Sequence, residues 1–216
     1  MQFSMINNVV FPIGRITPTG VILLGTSFLL RKNGHFATAA HVVKSDDNNL
    51  VIITGISTTL DYQDTSNKQI QYIPAKISAI DPFRDICILV TETEVNSNLK
   101  ISGTDSAQTG EVVVTFGFPH ADHGRMVLTQ QRTEIGAKIL IESNGIKSKH
   151  VILNIQARPG QSGSPIFRIS DLSLIGILIG SYAPSGGGGI SLGGIDPATL
   201  HQTTHVISAE YLKEML

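Results

Sequence analysis

The chain has 216 residues, 41% hydrophobic and 15% charged, which is enough apolar material for one large domain or two small lobes and argues against disorder. With Lys+Arg 16 against Asp+Glu 17 the net charge is -1, and no basic run offers a surface for phosphates, so nucleic acid is not an expected partner. Apolar runs such as VILLGTSFLL are short and broken by Gly, Thr and Ser, so none reaches the roughly 18 to 20 residues a membrane-spanning helix needs, and no membrane association is expected.

The opening stretch MQFSMINNVVFPIGR lacks the charged, apolar and small-residue zones of a secretory leader, and the single Cys87 has no intramolecular disulfide partner. Together they lead to the expectation of a reducing, cytoplasmic setting. Strands are expected at Val21 to Leu30, His35 to Thr38, Leu50 to Ile56, Ile70 to Ile80 and Ile86 to Val90, all rich in Val, Ile, Leu, Phe and Thr. A polar segment, Asn96 to Gly110, then divides the chain. Beyond it the same signature marks Glu111 to Phe116, Met126 to Thr133, Lys138 to Ser143, His150 to Ile155, Pro165 to Ile169 and Leu174 to Ser181. Turn residues punctuate nearly every gap, so the reading is all-β, two barrel lobes spanning 1–103 and 104–216. A terminal helix is expected in SAEYLKEML, with Ser208 as its cap, packed on the second lobe. SGGGG at Ser185 to Gly189 reads as a flexible loop.

Ala157 to Phe167, ARPGQSGSPIF, sets Ser162 and Ser164 in a Gly- and Pro-rich turn. An alcohol is a poor nucleophile at neutral pH, so a reactive serine requires a base within reach and a carboxylate that orients the base. Of 7 histidines, His41 stands out, ending FATAAH after a strand and amid small residues. Of the acids, Asp85 stands out at the mouth of the apolar run ICILV, where a carboxylate is costly unless paired.

Taken in order, TAAHVV at Thr38 to Val43, DICILV at Asp85 to Val90 and GQSGSP at Gly160 to Pro165 resemble the His, Asp and Ser blocks of trypsin-like serine peptidases. GTSFLL, VVVTFGFP and LIGILIGS resemble that family's supporting strands, and the nearest likeness is to HtrA-like and other bacterial-type members, with no PDZ domain visible. The resemblance implies a chymotrypsin-like fold of two six-stranded antiparallel barrels and cleavage of protein or peptide substrates through an acyl-enzyme, without cofactor or metal. Ser162 would be the nucleophile, His41 the general base and Asp85 its orienting acid. Backbone N–H groups of Gly160 and Ser162 would form the oxyanion hole. Substrate would be bound by Gln156, Ala157, Ile179, Gly180, Ser181 and His205. The alternative is a weakly active or inactive peptide-binding or sensor module, since fold is fixed better than activity.

Gln161 stands where digestive members carry an acid that pairs with a new N-terminus, so control would come from loop order, a regulatory partner or a missing domain. Cys87 reads as a core residue, Ser164 as structural, and His120 and His123 as a solvated turn. His35 and His150 read as surface residues.

Overall fold

The computed structural model describes residues 6, 8–56, 59–67, 69–182 and 203–216, and the glycine run at Ser185 to Gly189 lies outside them. Among the described residues, thirteen strands make two antiparallel sheets. The first contains β1 (Val10–Thr17), β2 (Gly20–Leu29), β3 (His35–Ala39), β4 (Leu50–Thr54), β5 (Gln71–Pro74), β6 (Lys76–Asp81) and β7 (Ile86–Val90), in the order β5-β4-β1-β2-β3-β7-β6. Its two edge strands are consecutive, separated by Ala75 alone, so the sheet curls until its edges meet at that residue. Counted as one bent strand, as the run Ile70 to Ile80 reads, β5 and β6 make this lobe six-stranded.

β1 was not among the expected strands, and Pro12 and Gly14 explain why. Pro12 lies opposite Thr26 of β2, before the ladder to β4 begins at Ile13, so its missing N–H leaves no second partner unsatisfied. At Ile13/Gly14 the register slips, and the slip breaks the period-two pattern.

β8 (Val112–Gly117), β9 (Thr129–Ser143), β10 (Ile146–Leu153), β11 (Pro165–Arg168), β12 (Leu174–Tyr182) and β13 (Thr203–Ser208) close into a barrel in the order β10-β13-β12-β11-β8-β9. The two strands expected between Met126 and Ser143 are one. β9 pairs with β8 up to Glu134 and with β10 from Ile135, and the change of partner falls where Gly136 interrupts the apolar pattern.

In the second barrel, successive residues of β8, β11 and the end of β13 face opposite ways, and both faces are buried there. Val113, Ile166 and Val206 fill its interior, whereas Val114, Phe116, Phe167 and Ile207 join the core that continues into the first lobe. That double burial is why these strands read as unbroken apolar runs. The terminal helix is present but opens as a 3-10 turn, Ala209–Tyr211, before α2 (Leu212–Met215), α1 being Ala40–Val43. Ser208 does not cap it: the Ser208 hydroxyl instead accepts the Thr104 N–H at 2.9 Å, fastening the interlobe segment to β13.

His150 corrects another expectation, being buried rather than on the surface, with its Nδ1 unpartnered among the described residues. Burial, and then the nearby His205, push its pKa from 6.5 down to about 4. Between those values the unfolded chain binds a proton that the folded chain does not, so stability is full above pH 6.5 and falls as pH drops toward 4. His150→Leu should flatten the fall in thermal midpoint between pH 7 and pH 4 (roughly the window of an imidazole titration). An unchanged slope would remove His150 as its cause.

Candidate active site

The site is assembled at the cleft where the lobes meet. β3 delivers the small residues Thr38 and Ala39, α1 turns immediately, and His41 emerges exposed on that single helical turn. Asp85, at φ 58, sits in the turn entering β7. Because β3 pairs with β7, with Ala39 opposite Ile86, the two residues are neighbours although 44 positions apart. One carboxylate oxygen, Oδ2, lies 2.6 Å from His41 Nδ1, and the other, Oδ1, accepts the His41 backbone N–H at 2.8 Å. Both oxygens are thereby committed to one residue, which sets the ring's position and its tautomer. A carboxylate that accepts from Nδ1–H leaves the lone pair on Nε2, facing outward.

Ser162 comes from the second lobe, half-buried on the turn before β11, while Ser164 is fully buried. That difference in access separates the two serines of the motif. Ser162 Oγ makes no hydrogen bond among the described residues, so a direct bond to the imidazole is not formed in this structure; such bonds in substrate-free sites often tighten only when substrate arrives. The backbone N–H groups of Gly160 and Ser162 have no partner among the described residues either. Gly160, at φ 87, has no room for a side chain, since a Cβ would stand 2.5 Å from the Phe118 carbonyl oxygen and 2.6 Å from the Ala121 nitrogen. Gly163, at φ 89, is pressed equally hard against Thr26 O and Thr38 Oγ1. Only glycine meets both demands.

What aligns the turn with the first lobe is mostly Thr26 of β2. Its N–H donates to the Ser162 carbonyl at 2.9 Å, its hydroxyl donates to the Gly160 carbonyl at 2.9 Å, and the same hydroxyl accepts the Phe118 N–H at 3.1 Å. The sequence reading missed this residue, whose signal was a threonine inside the apolar strand GTSFLL. Thr26→Val would leave a buried carbonyl and a buried N–H unsatisfied, and should destabilise the fold by about 2–4 kcal/mol. Urea unfolding measures this, and a loss under about 0.5 kcal/mol would mean the bridge is dispensable.

Gln161 is buried, accepting the Arg158 N–H at 2.8 Å and donating to Gln131 Oε1 at 2.6 Å. A neutral amide pair therefore anchors the nucleophile turn to β9, and no charge is needed there.

On the opposite side of the turn, Ala157 is buried, Gln156 is exposed, and Ile179 and Gly180 are half-buried on β12. Ser181 ends the same strand; its side chain lies outside the described residues. Alternation along β13 sends Thr204, rather than His205, toward Gln156 and Ala157: its hydroxyl accepts the Ala157 N–H at 2.8 Å and donates to the Ile155 carbonyl at 2.6 Å. His205 lies on the other face of the strand, beside His150, half-buried and with its pKa lowered by burial. Cys87 is fully buried, its thiol pushed up to about 12 by burial and by the Asp85 charge. His120 and His123 meet edge to face at 6.3 Å, with His123 Nδ1 3.0 Å from Asp122. Among the described residues no group of three His, Cys, Asp or Glu is placed to hold a metal ion, and no helix is long and apolar enough to cross a membrane.

A two-lobed β structure with an imidazole and a carboxylate on one lobe and a Gly-x-Ser-Gly turn on the other is the architecture of a trypsin-like peptidase. The family model of the trypsin-like peptidase domain matches residues 25–177, and the chain belongs to that family. Among curated relatives it is 26% identical over 168 residues to a probable periplasmic serine endoprotease DegP-like of Pseudomonas fulva, a match covering 76% of this chain and 30% of that protein. The counterpart in Pseudomonas fluorescens is 26% identical over 165 residues, with the same coverage. The chain thus spans about 30% of the length of these relatives. Among solved structures, an HtrA-type protease AlgW with decapeptide matches with TM-score 0.70 and 17% identity, over 99% of this chain and 65% of that one. The active form of the Rv3671c protease from M. tuberculosis matches with TM-score 0.68 and 20% identity, over 97% of this chain and 80% of that one.

The relatives overturn the expected cytoplasmic location, because curated proteins similar to this chain are named as probable periplasmic endoproteases. A lone thiol buried in a strand and held at a pKa of about 12 is inert in either redox setting, so it says nothing about compartment.

Proposed function

We propose that this chain is a serine endopeptidase acting on protein or peptide substrates in the periplasm, the compartment its curated relatives' names give. Ser162 attacks the scissile carbonyl, His41 Nε2 takes its proton and returns it to the leaving amine, and Asp85 holds the imidazole and stabilises its cation. The N–H groups of Gly160 and Ser162 receive the developing oxyanion. Substrate runs along Gly180 of β12 on its acyl side, with its side chain toward Gln156, Ala157 and Thr204.

The observation that carries this reading is the double grip of Asp85 on His41, at 2.6 and 2.8 Å. The bond to Nδ1 fixes the ring's tautomer, and the bond to the backbone N–H fixes where the ring stands. The test is covalent labelling of the intact chain by a fluorophosphonate, located by peptide mass mapping. Adduct on Ser162 supports the peptidase. A folded chain that takes no label under any condition would favour a peptide-binding module instead.

A further inference from the structure

We propose that Arg84 is a positioning residue for the His41–Asp85 pair: its guanidinium, stacked on Tyr211 of the terminal 3-10 turn, ties the turn that carries Asp85 to the lobe that carries Ser162. The proposal rests on the peptidase reading above.

Asp85 stands at φ 58, a backbone conformation that residues other than glycine hold only where their surroundings impose it. Its own bonds run toward α1: the carboxylate takes His41 Nδ1 and the His41 backbone N–H, and its carbonyl accepts the Ala40 N–H at 3.1 Å. The other side of the turn is built by Asp81, at the end of β6. Its Oδ1 accepts the backbone N–H groups of Phe83 at 3.0 Å and Arg84 at 3.1 Å, and its Oδ2 accepts from Arg84 Nη1 at 3.0 Å. One carboxylate thus closes the turn on itself, and the Arg84 side chain reaches out of it to the second lobe.

There the guanidinium carbon lies 4.3 Å from the centroid of the Tyr211 ring, with Nη1 3.7 Å from Glu214 Oε2 of α2. The Arg84 side chain is 25% exposed and its Nε is buried without a hydrogen-bond partner among the described residues, so the aromatic face and the two carboxylates offset the water it has lost. A planar guanidinium can stack and hydrogen-bond at once, whereas a point-like ammonium gives up one contact to make the other. The ring beneath it is fixed. Tyr211 is buried, its hydroxyl accepts the Lys149 N–H of β10 at 2.9 Å, the Lys149 ammonium lies 2.8 Å from Glu210 Oε1, and Leu212 is fully buried in the core. Arg84 therefore joins a rigid part of the second lobe to the residue preceding Asp85. His41 has to meet Ser162 across the cleft and stands where Asp85 holds it, so Arg84 adds to the Thr26 bridge a second tie between base and nucleophile.

The experiment compares the wild type with Arg84→Met, which keeps the length of the side chain and removes the charge, and with Arg84→Lys, which keeps the charge and removes the plane. Peptide turnover, fluorophosphonate labelling, thermal unfolding and the His41 ring-nitrogen NMR shifts are read on each. Arg84→Met should keep KM and lose roughly tenfold to a hundredfold in kcat, as small displacements of a reacting group do. Its His41 shifts should move from the single Nδ1–H tautomer toward a mixture, and Arg84→Lys should recover part of both. A loss of packing alone would lower the thermal midpoint and leave the ring-nitrogen shifts in place. Wild-type kcat in Arg84→Met, a loss carried by KM, or a lowered kcat with unmoved His41 shifts would each overturn the positioning role and leave the peptidase reading intact. Should Arg84→Met fail to fold, Arg84→Lys decides by the same outcomes. A wild-type chain that neither cleaves nor labels would overturn the peptidase reading and this proposal with it.

Discussion

Ser162→Ala is expected to abolish fluorophosphonate labelling and to lower peptide cleavage by about a million-fold, while leaving the unfolding free energy within about 0.5 kcal/mol of wild type. The first effect follows from the loss of the proposed nucleophile, the Ser162 hydroxyl. The second follows from surroundings: Ser162 is half-buried on a turn, its hydroxyl makes no hydrogen bond among the described residues, and its backbone contacts to Thr26 survive the substitution. Ser164→Ala is the internal comparison. That side chain is fully buried with its hydroxyl unpartnered among the described residues, so it has no route to a substrate, and its removal should spare most activity. Reversed phenotypes would reassign the nucleophile.

Asp85→Asn should cost about ten-thousand-fold in kcat, although it changes the side chain by one atom. The geometry says why. The His41 backbone N–H donates to Oδ1, so an asparagine must keep its oxygen there and turn its NH₂ toward His41 Nδ1. A donor facing Nδ1 forces that nitrogen to accept, which moves the ring proton to Nε2 and leaves no lone pair for the serine. Ring-nitrogen NMR shifts would show the tautomer exchange directly. Near-wild-type kcat, with the tautomer exchanged, would sink the general-base assignment.

The site was legible in the sequence because each block carries its own local chemistry. His41 had small neighbours, Asp85 stood unpaired before a buried strand, and Ser162 sat in a turn whose glycines need positive φ at 160 and 163. The supporting contacts were less visible. Thr26 works through backbone groups 92 and 134 positions away and Thr204 through groups 47 and 49 positions away, so the threonines could be read along the chain but their partners could not. His150 was misjudged because a histidine between a lysine and a valine reads as a strand edge, and only the closure of β9 and β13 on either side of β10 buries it.

By itself the sequence determined the all-β character and the turn at Gly160 to Pro165, and it singled out His41, Asp85 and Ser162 as candidates for the proposed chemistry, since strand propensity, turn residues and the cost of an unpaired carboxylate are local quantities. The tertiary structure alone decided that the first sheet curls on a bend at Ala75, that β9 serves two partners, and that Thr204 rather than His205 faces Ala157. Each of these depends on register, where a shift of one residue turns a side chain to the opposite face of its sheet. Register is set by pairing between distant segments, so a reading of neighbours along the chain does not contain it.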